Sequence, residues 1–118
     1  DIDVCNLNAR IEKLIDYHFE VLTTNEDVFR LYLGAIMQNS VRDKKNYSRG
    51  GKRILLIAEA LLPLKKEISK ETFDKMVNAI SLLMGIESIS ILKDICGLEN
   101  GSIQEMWKWM IQKIITNP

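Results

Sequence analysis

The feature that most constrains the fold is the stretch LLMGIESISILKDICGL, residues 82–98, which is apolar on nearly all sides. At about 100° per residue, a helix through this stretch has two opposite apolar faces, with a strip of small residues between them. A helix that is apolar on two opposite faces has to be covered twice. We expect the chain's own core to cover one face and a second copy of the chain to cover the other.

The predicted inward face comprises Phe73, Met76, Val77, Ile80, Leu83, Met84, Ile91 and Ile95. The predicted homodimer interface comprises Ser81, Leu82, Gly85, Ile86, Ser88, Ile89 and Trp109. Small residues on such a face would let the backbone of a partner approach closely, and Trp109 adds apolar surface on the last helix. The alternative interpretation is a monomeric bundle in which this helix is simply the central one.

Helical periodicity elsewhere predicts an all-α fold of about five helices, forming one domain over residues 1–118. We expect an orthogonal and antiparallel bundle whose last two helices build a four-helix bundle with those of a partner. The predicted helices span about residues 6–23, 25–38, 51–62 and 69–95, with a fifth from residue 102 onward. The predicted end signals are Asn25 and Ser69 as N-caps, Pro63 as a stop, Gly97 as a C-terminal cap, and Ser102 with Glu105 as a capping box.

Composition narrows the class of protein further. Of the 118 residues, 47% are apolar and 27% are charged, which is typical of a globular chain. The formal net charge is zero, which argues against a protein whose main function is to bind phosphate groups. There is no apolar run of membrane-spanning length and no signal-peptide pattern, so we expect no membrane contact and a cytoplasmic location. Cys5 and Cys96 match no metal spacing and are interpreted as reduced thiols, with no metal or cofactor.

The sequence predicts no enzyme and no catalytic residue. It contains no suggestive Cys-His or Ser-His pair and no glycine-rich phosphate loop. Residues 38–53, QNSVRDKKNYSRGGKR, are basic and are interpreted as a solvated linker. Contact with a phosphate is the second interpretation, with Tyr47 as the one aromatic residue nearby.

A ligand site is predicted among the first three helices. The second helix is apolar on two sides although it is short, so it should divide the core from a neighbouring space. The predicted site residues are His18, Phe29, Tyr32 and Met37, which suit a small and largely apolar effector with a few polar contacts. The alternative interpretation of His18, and the commoner one for a lone histidine on an apolar face, is a hydrogen-bonded core residue. Glu87 is interpreted as a salt-bridged carboxylate at the edge of an apolar face.

Residues 76–115, MVNAISLLMGIESISILKDICGLENGSIQEMWKWMIQKII, resemble the last two helices of TetR-family transcriptional repressors. The matching residues are Gly85, Glu87, Leu92, Lys93, Asp94, Gly97, Leu98 and Trp109. Residues 9–33 are similar to the early regulatory helices of the same family. The resemblance implies a dimer through the last two helices and an effector cavity among the earlier ones.

The resemblance does not extend to the helix-turn-helix with which this family reads DNA. We therefore expect contact with DNA only through a domain missing from this chain, and no specific DNA binding by the chain itself. The competing hypothesis is a helical protein–protein interaction module that is unrelated to transcription and uses the same apolar surface on another partner.

Overall fold

The computed structural model describes residues 3–45 and 51–116. Within these ranges every regular element is a helix, which confirms the all-α prediction for this part of the molecule. Its helices are α1 (Val4–Thr24), α2 (Glu26–Arg42), α3 (Lys52–Ala60), α4 (Lys70–Leu83), α5 (Ile86–Asp94) and α6 (Asn100–Thr116), with a 3-10 helix at Leu62–Leu64 between α3 and α4.

Four helices form the body of the domain. α1 packs against α3 and α6, and α4 packs against the same two helices. The side chains that are completely buried between them are Ile15, Ile57, Leu61, Ile80, Met84, Ile89, Ile103, Trp107 and Ile111. The chain measures 47 × 36 × 20 Å, and the shortest dimension corresponds to two helix layers, since a helix with side chains is about 10 Å across.

Trp107 ties three helices together at the centre of this core. Its indole Nε1 donates a hydrogen bond of 2.8 Å to Ser88 Oγ in α5, and its ring meets Phe19 of α1 edge-on at 5.5 Å between centroids. A buried indole N–H without a hydrogen-bond partner destabilises a fold. The Ser88 hydroxyl provides that partner for the one polar group of the Trp107 side chain.

The prediction of one continuous fourth helix is wrong. The segment forms two helices, α4 and α5, which are bent by 53° at Met84–Gly85. Glycine is the least favourable helix residue after proline, and Gly85 adopts an extended conformation with φ −162° and ψ 177°. The bend turns α5 so that Ile86 and Ile89, predicted on the outer face, pack into the core of the chain itself.

The residues predicted to cap helices do not all act as predicted. Ser69 is the N-cap of α4, since its Oγ accepts from the Thr72 N–H at 3.1 Å, and Gly97 ends α5 with a φ of +71°, as predicted. Asn25 instead donates to the carbonyl of Val21 at the end of α1 and does not cap α2 with its side chain. Ser102 lies inside α6, which begins two residues earlier at Asn100.

α2 is the least buried helix, and none of its residues is buried. It packs mainly on α5 through Phe29 and Leu33. Its outer side leaves Val28, Leu31 and Val41 exposed. The basic stretch after α2 is partly described: Arg42 ends α2 and Lys52 begins α3, while Tyr47 and Arg49 lie outside the described residues.

Candidate functional site: a groove beside the α4–α5 bend

A groove of about 640 Å³ lies between α2, the start of α3 and the bend that joins α4 to α5. It is lined by Leu22, Phe29, Tyr32, Leu33, Ile36, Lys52, Arg53, Ile54, Ser81, Ile86 and Glu87. This volume is within the range of pockets that bind small organic molecules.

The walls of the groove are apolar because α2 turns one face toward the body. Phe29, Leu33 and Ile36 recur at helical spacing along that face, and Leu22 and Ile86 close the side nearest the core. Tyr32 stands at the rim, largely exposed. The arrangement therefore offers a long apolar wall whose rim is polar.

Charged groups gather at the other side of the groove, where α3 begins. Arg53 Nη1 donates a hydrogen bond of 2.8 Å to the carbonyl of Ser81, in the last turn of α4. Arg53 Nη2 lies 3.7 Å from Glu87 Oε1, in the first turn of α5, which makes an ion pair rather than a hydrogen bond. A single guanidinium from α3 thus contacts both helices that meet at the bend.

Gly85 leaves room for this contact. A Cβ atom at position 85 would lie 2.6 Å from Glu87 Oε1 and 2.7 Å from Arg53 Nη1, closer than carbon and these atoms can approach. The small residue predicted to admit a partner chain therefore makes room for an ion pair within this chain.

His18 lies outside the groove lining, although it was predicted to belong to a ligand site. Its Nδ1 is 3.0 Å from the Leu14 carbonyl, and since a carbonyl only accepts, Nδ1 carries the proton. Burial lowers the pKa of His18 below its ordinary value of 6.5, the positive charge of Arg53 lowers it further, and the Leu14 hydrogen bond opposes both. His18 is therefore the half-buried, hydrogen-bonded residue of the alternative interpretation, with a T-shaped contact to Tyr17.

Of the other three predicted ligand residues, two line the groove and one does not. Phe29 and Tyr32 line the groove, while Met37 is exposed on α2 outside it. The residues that sequence reasoning missed are Lys52 and Arg53, which had been assigned to a solvated linker. Glu87 was expected in a salt bridge, and it forms one with Arg53 of the same chain.

The predicted interface residues occupy different environments. Leu82 and Trp109 are 74% and 58% exposed, whereas Ile86 and Ile89 are buried within the chain. Ser81 and Ser88 are occupied by the contacts already described with Arg53 and Trp107. The prediction that Ile91 and Ile95 face inward is wrong: both are exposed, because the bend turns the side of α5 that carries Ile86 and Ile89 toward the core. The dimer itself stays a prediction.

A network of four charged side chains, which we call the α2–α5 clasp, holds α2 against the body. Arg30 binds both oxygens of Asp94 at 2.7 and 3.0 Å, and its Nε donates to Glu26 at 3.0 Å. Lys93 donates to the other oxygen of Glu26 at 2.6 Å. These contacts lower the pKa of Glu26, chiefly through Lys93, and that of Asp94, chiefly through Arg30.

A second groove, of about 450 Å³, lies between α1 and α3 and is a weaker candidate. Arg10 crosses its edge and donates to the carbonyls of Glu59 at 2.6 Å and Ala60 at 3.3 Å. These hydrogen bonds pair the last carbonyls of α3, so the Arg10 guanidinium already stabilises the end of that helix.

Comparison with known proteins adds no assignment: no protein-family model, no curated protein and no solved structure matches the chain. In the part of the chain that the structure describes, no group of three His, Cys, Asp or Glu side chains could hold a metal ion. No single described helix is long and apolar enough to cross a membrane; α4 and α5 reach that length and composition only together, bent by 53°.

Proposed function

We propose that this chain is the effector-sensing and dimerisation domain of a TetR-like transcriptional regulator. A small, largely apolar molecule occupies the groove beside the α4–α5 bend and modulates DNA binding by a helix-turn-helix outside this chain. The observation that carries the proposal is the groove itself, with Phe29, Leu33 and Ile36 along its wall and Arg53 at its other side. The family assignment is supported by the resemblance of residues 76–115. The role is binding rather than catalysis, in the cytoplasm.

Arg53 supports a route from the groove to the rest of the domain. A ligand that contacts Arg53 acts on the same guanidinium that holds Ser81 and Glu87 on either side of the bend. A ligand that presses on α2 also acts on α5, since the α2–α5 clasp joins these helices. Both routes end on α5, whose exposed Ile91 and Ile95 belong to the surface proposed for the dimer.

The proposed dimer forms through α4, α5 and α6. Its support is the run of exposed apolar side chains on these helices: Leu82, Ile91, Ile95 and Trp109. Large exposed apolar side chains on neighbouring elements are typical of association surfaces. A two-fold arrangement makes such a surface meet its own copy.

Groove binding can be tested with a neutral, apolar fluorescent probe, N-phenyl-1-naphthylamine. Ile36→Trp places a bulky ring in the groove and should weaken probe binding at least about tenfold, because the new side chain occupies the ligand's space. Leu31→Trp is the matched control, since Leu31 lies on the outer side of the same helix and is 76% exposed.

Equal probe affinity for Ile36→Trp and Leu31→Trp would place binding elsewhere and contradict the proposed site. Failure of the unaltered chain to bind the probe would do the same.

The alternative function is a protein–protein interaction module. The observation that favours it is the outer side of α2, where Val28, Leu31 and Val41 are exposed. An apolar helix face of this kind can dock into a partner's groove. A chain that stays monomeric and whose groove binds no probe supports this alternative over the sensor.

A further inference from the structure

We propose that the ligand of the groove is an anionic amphiphile, such as a medium-chain carboxylate, with its head group at Lys52 and Arg53. The apolar tail lies along Phe29, Leu33 and Ile86. This inference rests on the proposed function, since it names the chemical class of the effector for the same groove.

The charges of the lining favour an anion. Among the described residues that line the groove, two side chains are cationic, Lys52 and Arg53, and one is a carboxylate, Glu87, which gives these residues a formal excess of one positive charge. Both cations lie in the first turn of α3, which contains no acidic residue. The positive end of the helix dipole therefore adds to their charge rather than opposing it. A cationic ligand would be repelled by all three.

The geometry of Arg53 leaves it able to bind a carboxylate. A guanidinium carries five N–H donors, and one of them is used on the Ser81 carbonyl. The contact with Glu87 is 3.7 Å, longer than a hydrogen bond, and the Arg53 side chain is 32% exposed. A ligand carboxylate that accepts two parallel N–H bonds from Arg53 would thus make a closer pair than the one present.

The rest of the lining fits a tail and not a second head group. The wall on α2 is formed by Phe29, Leu33 and Ile36, and Ile86 closes the side nearest the core; these four side chains offer dispersion contacts and no hydrogen-bonding atoms. A hydrophilic anion such as phosphate would leave this wall in contact with water. The combination of an apolar wall and a cationic end is therefore complementary to a molecule with one apolar and one anionic end.

The test uses three compounds with a ten-carbon chain: decanoate, whose carboxylate carbon is one of the ten, decanol and decyltrimethylammonium. Each displaces N-phenyl-1-naphthylamine from the unaltered chain at low salt and below its micelle-forming concentration. We expect decanoate to bind at least about tenfold more tightly than decanol, with the cation weakest. The preference for decanoate over decanol should shrink at high salt, because the head-group contact is partly exposed.

Variants locate the head group. Arg53→Gln should abolish the preference for decanoate, and Lys52→Gln should reduce it several-fold without touching the Arg53–Ser81 bond, which guards against a folding defect in Arg53→Gln. Lys66→Gln, an exposed lysine outside the groove, is the control and should keep the full preference.

The anionic head group is ruled out if decanol binds as tightly as decanoate, or if both groove variants keep the full preference for decanoate. Either result leaves the proposal of an apolar binding groove intact. Tighter binding of the cation rules out the anionic head group in the same way. If no compound displaces the probe, or the probe does not bind, the proposed function falls together with this inference.

Discussion

At the scale of single residues, Arg53 joins three helices at one point. The last carbonyls of a helix attract cations and the first turn of a helix attracts anions. Arg53 therefore suits the end of α4, where it meets Ser81, while Glu87 suits the start of α5. Gly85 between them provides the space for both side chains. The bend is thus stabilised by electrostatics and permitted by a missing side chain.

Gly85→Ala should destabilise the domain by about 1 kcal/mol. Alanine lowers the entropy of the unfolded chain, which favours folding by about 0.4–1 kcal/mol. The added Cβ displaces Arg53 and Glu87, and losing a charged hydrogen bond costs about 1.5–3 kcal/mol. Urea unfolding with Gly34→Ala as the control measures the difference.

Gly34 lies within α2 with no atom near the position of an added Cβ. Gly34→Ala should therefore stabilise by roughly 0.5–1 kcal/mol, opposite in sign to Gly85→Ala. If both substitutions stabilise the chain, the Arg53 contact contributes nothing to the bend.

His18 should make the stability of the fold depend on pH near neutrality. Because its pKa is lowered in the folded chain, folding favours the neutral ring. The resulting stability is fully present above the ordinary value of 6.5 and is lost as the pH falls below it, toward the lowered pKa of the folded state. Glu26 and Asp94 stay ionised there, since their pKa values lie below 4.5 and 3.8.

The measurement is urea unfolding at pH 7.5 and pH 5.5. His18→Gln, which keeps a hydrogen-bond donor but cannot titrate, should lose less stability between these values than the unaltered chain. An equal loss in both would show that His18 is not the group responsible.

At the scale of elements, α2 is held in an unusual way for a helix in a small domain. None of its residues is fully buried, so the α2–α5 clasp adds to the partly buried contacts of Phe29 and Leu33 in attaching the helix. Isolated surface ion pairs are worth little, but a bidentate Arg30–Asp94 pair within a four-charge network keeps its geometry better than a lone pair does. Since α2 also forms the apolar wall of the groove, the clasp sets the position of that wall.

Arg30→Met should loosen α2 without unfolding the body. We expect faster amide hydrogen exchange in α2, and unchanged exchange in α1 and α6, whose core side chains do not contact the clasp. Arg42→Met, at the far end of the same helix, is the control and should exchange like the unaltered chain. Uniform acceleration in all helices would contradict a local role for the clasp.

Acid should weaken the α2–α5 clasp and loosen α2, as Arg30→Met does. The lowered pKa values of Glu26 and Asp94 mean that its contribution is present above their ordinary values of 4.5 and 3.8 and is lost as the pH falls through and below them. Exchange in α2 should therefore accelerate, relative to α1, below about pH 4.5. A constant ratio between the two helices down to pH 3 would contradict this.

Periodicity predicted the helices well where one face alone is buried, as in α1 and α6. It did not predict the break at Met84–Gly85, because apolar residues continue through the bend at helical spacing. The break is associated with a long-range contact from Arg53, which no local pattern indicates. The Ser102–Glu105 pattern failed for a local reason: a capping box inside a helix looks the same in sequence as one at its start.

Some of the residues that line the groove could be predicted from the sequence. Phe29 and Tyr32 belong to the apolar faces of α2 and could be placed near a cavity from the sequence. Lys52 and Arg53 could not, since they end a basic stretch that is typical of solvated loops. Their position depends on where α3 begins relative to α2 and to the bend, which is a property of the packed fold and not of any local pattern.

At the scale of the whole molecule, the chain is flat, and its exposed apolar side chains on α4, α5 and α6 make association plausible on physical grounds. The bend changes which side chains can take part. Ile86 and Ile89 are turned inward, whereas Leu82, Ile91, Ile95 and Trp109 are exposed and form the surface of the proposed dimer.

Sedimentation at micromolar concentration should give a dimer, with twice the 13.6 kDa mass of the chain. Trp109→Glu should weaken association at least about tenfold, because a carboxylate replaces apolar contact area. Leu31→Glu, at a position on α2 that is even more exposed than Trp109, should leave the dimer intact. A stable monomer for the unaltered chain would rule the dimer out.

The measurement that most directly tests the groove as the sensing site is amide hydrogen exchange of the unaltered chain with and without a bound ten-carbon ligand, decanoate or decanol, whichever binds more tightly. Protection is predicted in three separate segments that line the groove: residues 29–36 of α2, the start of α3 at Lys52–Ile54, and the bend at residues 81–87. Protection confined to α1 and α6, or no protection with ligand bound, would contradict it.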